Sequence, residues 1–191
     1  MLPELPITPR TRQNTERFSL KQLRRDILIL PAVTALVLLV DQISKHLVAT
    51  RLAEGQSWDI VPWLVPVFRI THVTNTGAAF GLFPRGGDFF IIVAVIVIVV
   101  ILIYQRHISD GQWLARVALG LQLGGAIGNL TDRLTRGSVV DFIDLNFWPL
   151  HEWPVSNMAD VSIVTGVCLL AFLMWREEWR ERGGQKLVEE S

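Results

Sequence analysis

Residues 89–104 read FFIIVAVIVIVVILIY, sixteen apolar residues in succession. The Val and Ile content would suit a buried strand, but strands usually run 3–10 residues, and no Gly or Pro interrupts this one. With Gly87, Asp88 and Gln105 as flanks, the stretch reaches the ~20 residues that a helix needs to cross the hydrocarbon core of a bilayer. It is therefore a membrane helix. The composition agrees, because a mean hydropathy of +0.38 with only 19% charged residues is too apolar for an ordinary soluble surface.

Three further spans accompany it. An apolar run at 27–40 continues through Asp41 to Ala49. It follows a polar, basic segment, as a signal peptide would, but that segment is long and no small-residue cleavage site follows, so a retained helix is expected. Residues 113–130 are only weakly hydrophobic, carry Gln122 and Asn129, and contain Gly120, Gly124, Gly125 and Gly128. Small residues at such spacing permit close helix contact in lipid, which predicts a position in the middle of a bundle. The last span, 159–175, is apolar apart from Asp160, Ser162 and Thr165 near its start. The expected fold class is an all-α membrane protein of four transmembrane helices. The domain plan is a polar extension at 1–25, a membrane domain at 26–176 and a tail at 177–191, with mobile ends expected over roughly 1–20 and 181–191.

Charge distribution orients the spans. Arg10, Arg12, Arg17, Lys21, Arg24 and Arg25 precede the first span, and Arg176, Arg180, Arg182 and Lys186 follow the last. The segments 52–87 and 131–158 hold only Arg69 and Arg85, and Arg133 and Arg136. The positive-inside rule then puts both termini in the cytoplasm and the two long loops outside. Trp58, Trp63, Trp113, Trp148, Trp153 and Trp175 fall near span ends, as interfacial anchors do. Within the first outer segment, residues 57–83 alternate enough to predict short strands and a turn at Asn75, Thr76 and Gly77, forming a small extracytoplasmic cap.

Several chemistries are excluded. Lys plus Arg (18) equals Asp plus Glu (18), so no basic excess is present to bind nucleic acid. Cys168 is the only cysteine, and His46, His72, His107 and His151 are scattered, so neither a disulfide framework nor a metal or redox cofactor is indicated.

Ionisable residues in or beside a membrane span are costly and need a partner or a function. Asp41 and Lys45, Asp132 and Arg133, Asp141 and Asp144, and Asp160 all fall in one predicted layer near the outer surface. Two carboxylates in a poorly hydrated site push their pKa values apart, so one can activate water while the other protonates a carbonyl oxygen. Asp141, following Val139 and Val140, and Asp160, opening a helix, are the candidate pair. Each residue also has a plainer reading. Asp160 could cap its helix; Asp132 and Arg133 could form an ion pair; Asp41 and Lys45, four apart, could bridge one helical turn. Asn75 and Gly77 could form only a turn, with Gly81 a second flexible point, and Asn129 and Asn157 could serve helix ends.

Five blocks in order give the chain a resemblance. Asp41-Gln42-Ile43-Ser44-Lys45, residues 75–81 (NTGAAFG), 128–133 (GNLTDR), 137–142 (GSVVDF) and Asn157-Met158-Ala159-Asp160 together resemble the bacterial lipoprotein signal peptidase (signal peptidase II) family, over roughly residues 25 to 175. The resemblance implies an aspartic protease of the inner membrane with Asp141 and Asp160 as catalytic dyad, cutting prolipoproteins immediately before a diacylglyceryl-modified cysteine. It implies that Asn129, Arg133 and Asn157 hold substrate backbone and position the dyad. Asn75 and Gly77 would belong to the cap, and Asp41, Lys45 and Asp132 would support the site. No cofactor, metal or obligate protein partner is implied beyond the substrate and membrane lipids. Thr131 and Ser156 depart from the commonest family pattern, where larger or aromatic residues are frequent. Two other classes compete: a small transporter, which would need acidic groups deep in several spans, and a noncatalytic assembly protein.

Overall fold

The computed structural model describes residues 9–59, 61–77, 87–109, 111–149 and 153–189. Gly81 and Phe83, within the expected cap, lie outside the described residues, as do the extreme ends 1–8 and 190–191. Four helices carry the fold: α1 (Pro9–Arg51), α2 (Gly87–Tyr104), α3 (Trp113–Arg136) and α4 (Met158–Glu189). Three strands accompany them: β1 (Ser57–Trp58), β2 (Phe68–Asn75) and β3 (Val139–Leu145).

Stretches of α1, α2 and α4 are long and apolar enough to cross a membrane, with mean hydropathies of 2.1 over Ile27–Arg51, 2.8 over Asp88–His107 and 1.9 over Met158–Arg180. Their apolar side chains point outward: Ile92, Ile96, Val100 and Ile103 on α2 are all exposed. By contrast, the largest fully buried side chains are Lys45, Asn157, Asp41 and Asp132. Such an inside-out distribution suits hydrocarbon as the surrounding solvent.

α3 is less apolar because the other helices surround it; it packs on α1, α2 and α4. Close approach requires its glycines. A Cβ at Gly124 would lie 2.7 Å from the Cβ of Val37 on α1, and one at Gly125 would collide with the carbonyl of Ala159 on α4. The chain is thus a four-helix, multi-pass membrane protein with its weakest span at the centre.

Three features differ from the sequence-based expectation. α1 begins at Pro9 and α4 continues to Glu189, so helix extends well into the polar ends, where the apolar pattern carries no signal. The cap is a three-stranded antiparallel sheet of order β1-β2-β3, and its third strand comes from the later segment 131–158, outside the stretch whose alternation predicts strands. Finally, α1 continues about 15 Å beyond Asp41, at about 1.5 Å per residue, so Asp41 lies well inside the helix rather than at its outer end. Those last turns are the support for the sheet: Val48 packs with Val140 and Phe142, and the His72 ring Nδ1 lies 2.9 Å from the Leu52 carbonyl.

Gly124→Val should lower the thermal midpoint of the detergent-solubilised protein, consistent with an overpacking cost of about 1–3 kcal/mol; tryptophan fluorescence during heating measures it.

Candidate active site

Sheet register decides where Asp141 goes. Val73 pairs with Asp141 and Asn75 with Val139, so the Asn75 side chain reaches along the sheet and its Nδ2 donates to Asp141 Oδ2 at 3.0 Å. Asn75 Oδ1 in turn accepts from the Gly77 amide at 3.2 Å, so the expected turn at 75–77 also orients the amide that faces the carboxylate.

Asp160 is brought in by the start of α4. Asn157 Oδ1 accepts the Asp160 amide at 3.0 Å, while Asp160 Oδ2 accepts the Asn157 amide at 3.3 Å. This reciprocal arrangement is a capping box, which satisfies two of the free N–H groups at the helix start. The capping reading of Asp160 is therefore correct as geometry, but it accounts for only one of its oxygens. Asp160 Oδ1 accepts from Asn129 Nδ2 at 2.7 Å.

Asn157 joins the two carboxylates. Its Nδ2 donates to Asp141 Oδ1 at 2.6 Å and to Asn129 Oδ1 at 3.2 Å, while its backbone and Oδ1 hold Asp160. All four carboxylate oxygens thus accept from N–H donors, and each oxygen keeps a second lone pair for water or a shared proton. Burial pushes the Asp141 carboxyl up to about 6; the Asn75 amide opposes the shift, the Asp160 charge adds to it and the Asn157 amide opposes it again.

Behind this pair stands a buried charge cluster. Lys45 Nζ lies 2.8 Å from Asp41 Oδ2 and 2.9 Å from Asp132 Oδ2, and donates to Asn129 Oδ1 at 2.9 Å. Two carboxylates and one amide oxygen thus surround the ammonium. Asp41 Oδ1 accepts the Ala159 amide of α4 at 2.9 Å, which places a carboxylate at the positive end of that helix. Gly128 makes room for this, since a Cβ there would stand 2.5 Å from Asp41 Oδ2.

Asp132 and Arg133 do not pair with each other, because adjacent helical residues point in different directions. Asp132 turns inward to Lys45, with Arg136 at 4.0 Å. Arg133 donates to the Asn129 carbonyl at 3.2 Å, sits 5.2 Å from the Phe90 ring centroid, and is attracted by Asp160 and Asp141. Asp144, expected in the same polar layer, instead meets Thr71 at 2.8 Å and Arg69 at 3.5 Å.

Comparisons with known proteins place the chain in a family. The family described as Signal peptidase (SPase) II matches residues 33–176. A lipoprotein signal peptidase of Geobacter metallireducens is 44% identical over 156 residues, covering 80% of this chain and 94% of that protein. Another, from Symbiobacterium thermophilum, is 44% identical over 142 residues, covering 74% and 90%. This chain belongs to the lipoprotein signal peptidase family. Membership makes it a membrane aspartic peptidase. A solved bacterial membrane enzyme that is 32% identical superposes with a TM-score of 0.68 over 78% of this chain and 88% of that one.

Several residues at the site have no role assigned from the sequence. Gln42 Nε2 lies 3.1 Å from Asp41 Oδ2, 3.3 Å from the Gly128 carbonyl and 3.3 Å from Asp132 Oδ1, so it ties α1 to α3 beside the cluster. Phe90 and His72 are, in sequence, an aromatic in an apolar run and a lone histidine. The two departures from the family pattern are accommodated by backbone chemistry. Ser156 uses its own main chain to bridge Ile143, and the Thr131 hydroxyl donates to the Ile127 carbonyl at 2.8 Å.

Lys45→Met should destabilise the protein by about 3–5 kcal/mol, because it strands two buried carboxylates. Adding Asp41→Asn and Asp132→Asn should recover part of that loss, as read from melting midpoints in one detergent.

Proposed function

We propose that this chain removes signal peptides from diacylglyceryl-modified prolipoproteins, cutting immediately N-terminal to the lipid-modified cysteine, with Asp141 and Asp160 as the catalytic dyad. The observation that carries the reading is Asn157. One side chain donates to Asp141 and caps the helix that bears Asp160, so two carboxylates from separate elements are held as one unit.

The reaction is direct attack by water. One carboxylate takes a proton as water adds to the scissile carbonyl, and the other, protonated, donates to the carbonyl oxygen. When the amine departs, the roles partly reverse and the amine receives a proton. No acyl-enzyme forms. The amide side chains of Asn75, Asn129 and Asn157 stabilise negative charge on the pair without themselves titrating, and they fix the carboxylate planes before substrate arrives. Arg133, stacked at Phe90 and drawn to both carboxylates, is placed to meet substrate backbone carbonyls. Lys45, Asp41 and Asp132 hold α1, α3 and the start of α4 in register behind the dyad.

The protein resides in the bacterial inner membrane with both termini cytoplasmic, so the dyad is nearer the outer surface. Loop charge supports that orientation. The substrate's diacylglyceryl chains remain in hydrocarbon while the peptide bond reaches the polar layer, which accounts for hydrolytic groups at this depth.

Purified protein in detergent should cleave a diacylglyceryl-modified precursor before the modified cysteine, with a chelator having no effect. Asp141→Asn and Asp160→Asn should each lower the rate at least about a thousandfold, since removal of an essential acid or base abolishes its general catalysis, with melting midpoints retained. A folded variant that still cuts would remove that aspartate from the chemistry. The pH profile follows from Asp141, with the apparent values belonging to the pair. Above about 6 Asp141 gives up its proton beside an ionised Asp160, no acid remains in the pair, and kcat/KM falls as pH rises. Asn75→Ala removes a donor that favours the carboxylate, so its alkaline limb should move to higher pH.

A further inference from the structure

At the end of the bundle opposite the aspartates is a second polar feature. α2 and α4 both pack on α3, but they make little contact with one another, which leaves a gap between them along α3. At its far end this gap widens into a cavity of about 280 Å³, lined among others by Tyr104, His107, Trp113, Leu173, Arg176 and Glu177. Its volume equals about nine waters at about 30 Å³ each. Along α4 it lies about 24 Å from Asp160, at about 1.5 Å per residue, a distance close to the thickness of the hydrocarbon core.

The lining is divided. Leu173 is half-buried, while Arg176 and Glu177 carry opposite charges one position apart. Neighbouring helical positions do not face each other, and among the described residues neither side chain makes an ion pair with another. Both charges are therefore available to a ligand. Tyr104 and Trp113, exposed beside the cavity, are the residue types that settle at headgroup level. A bare phosphate would be drawn by Arg176 and repelled by Glu177. A headgroup with both a phosphate and a primary ammonium satisfies the two together, and its acyl chain can lie in the gap over α3.

We propose that this cavity is a binding site for a zwitterionic aminophospholipid. Arg176, with His107, receives the phosphate, and Glu177 receives the ammonium. On the orientation argued above the lipid belongs to the cytoplasmic leaflet, though its recognition does not depend on the peptidase reading.

The test is native mass spectrometry of the full chain released from detergent containing equal amounts of phosphatidylethanolamine, phosphatidylglycerol and phosphatidylcholine with the same acyl chains. The native protein should retain one phosphatidylethanolamine at least about fivefold over either competitor. Glu177→Gln should abolish that preference, Arg176→Ala should lower retention of all three, and Arg182→Ala, whose charge pairs with Glu178, should change nothing. Equal retention of the three lipids, or insensitivity to Arg176→Ala and Glu177→Gln, would overturn the proposal. Preferred phosphatidylglycerol, or displacement of the lipid by millimolar inorganic phosphate, would also overturn it by showing a simple anion site. Cleavage of a modified precursor by the same samples separates this result from the peptidase reading: the cavity variants should still cut.

Discussion

A single ammonium in the bundle interior constrains everything around it. Lys45 on α1 is fully buried, and it is tolerable there only because oxygens of Asp41, Asp132 and Asn129 stand 2.8–2.9 Å from its nitrogen. In hydrocarbon, an uncompensated charge is expensive wherever it points, so this geometry admits little drift. It fixes α1 against α3. Through the other oxygen of Asp41, which accepts the Ala159 amide, it also fixes the level at which α4 begins. The candidate catalytic carboxylate of Asp160 is the next residue.

The same cluster links support to chemistry through Asn129. That side chain accepts from Lys45 and Asn157 and donates to Asp160, so its orientation is dictated from behind and passed forward. From the other side, the sheet delivers Asp141 at the register set by β2 and β3, with the last turns of α1 as its base. Apolar helices exposed to lipid, small residues along α3 and a polar interior are consequences of one requirement: a polar site must be kept ordered within a solvent that offers neither water nor hydrogen bonds.

Much of this was legible in the sequence. The run at 89–104 revealed the solvent, glycine spacing along 120–128 revealed the central helix, and the cost of charge near lipid singled out Asp41, Lys45, Asp132, Asp141 and Asp160. The same reasoning offered Asp141 and Asp160 as the pair and family motifs implied the same two, although spacing could not show that they meet. What stayed hidden depends on tertiary pairing. β3 lies in a segment whose strand character appears only when β2 is beside it, so the approach of Asn75 to Asp141 could not be read. Asp144 looks the same as Asp141 in sequence, yet it stands an odd number of positions further along β3. Successive strand side chains point to opposite faces, and the sheet delivers Asp144 to Arg69 and Thr71 instead of to the dyad. Phe90 is one apolar residue among sixteen until Arg133 is seen above its ring.

The central claim is that Asp141 and Asp160 are one electrostatic unit. Carbon-13 NMR of protein labelled at the Asp carboxyl carbons, followed as pH is raised, measures it most directly. The Asp141 signal should titrate near 6, with a second inflection from its partner. In Asp160→Asn protein it should become a single step at lower pH, because a neighbouring negative charge has been removed. An unchanged Asp141 curve in that variant would contradict the account, since the two carboxylates would then not sense one another.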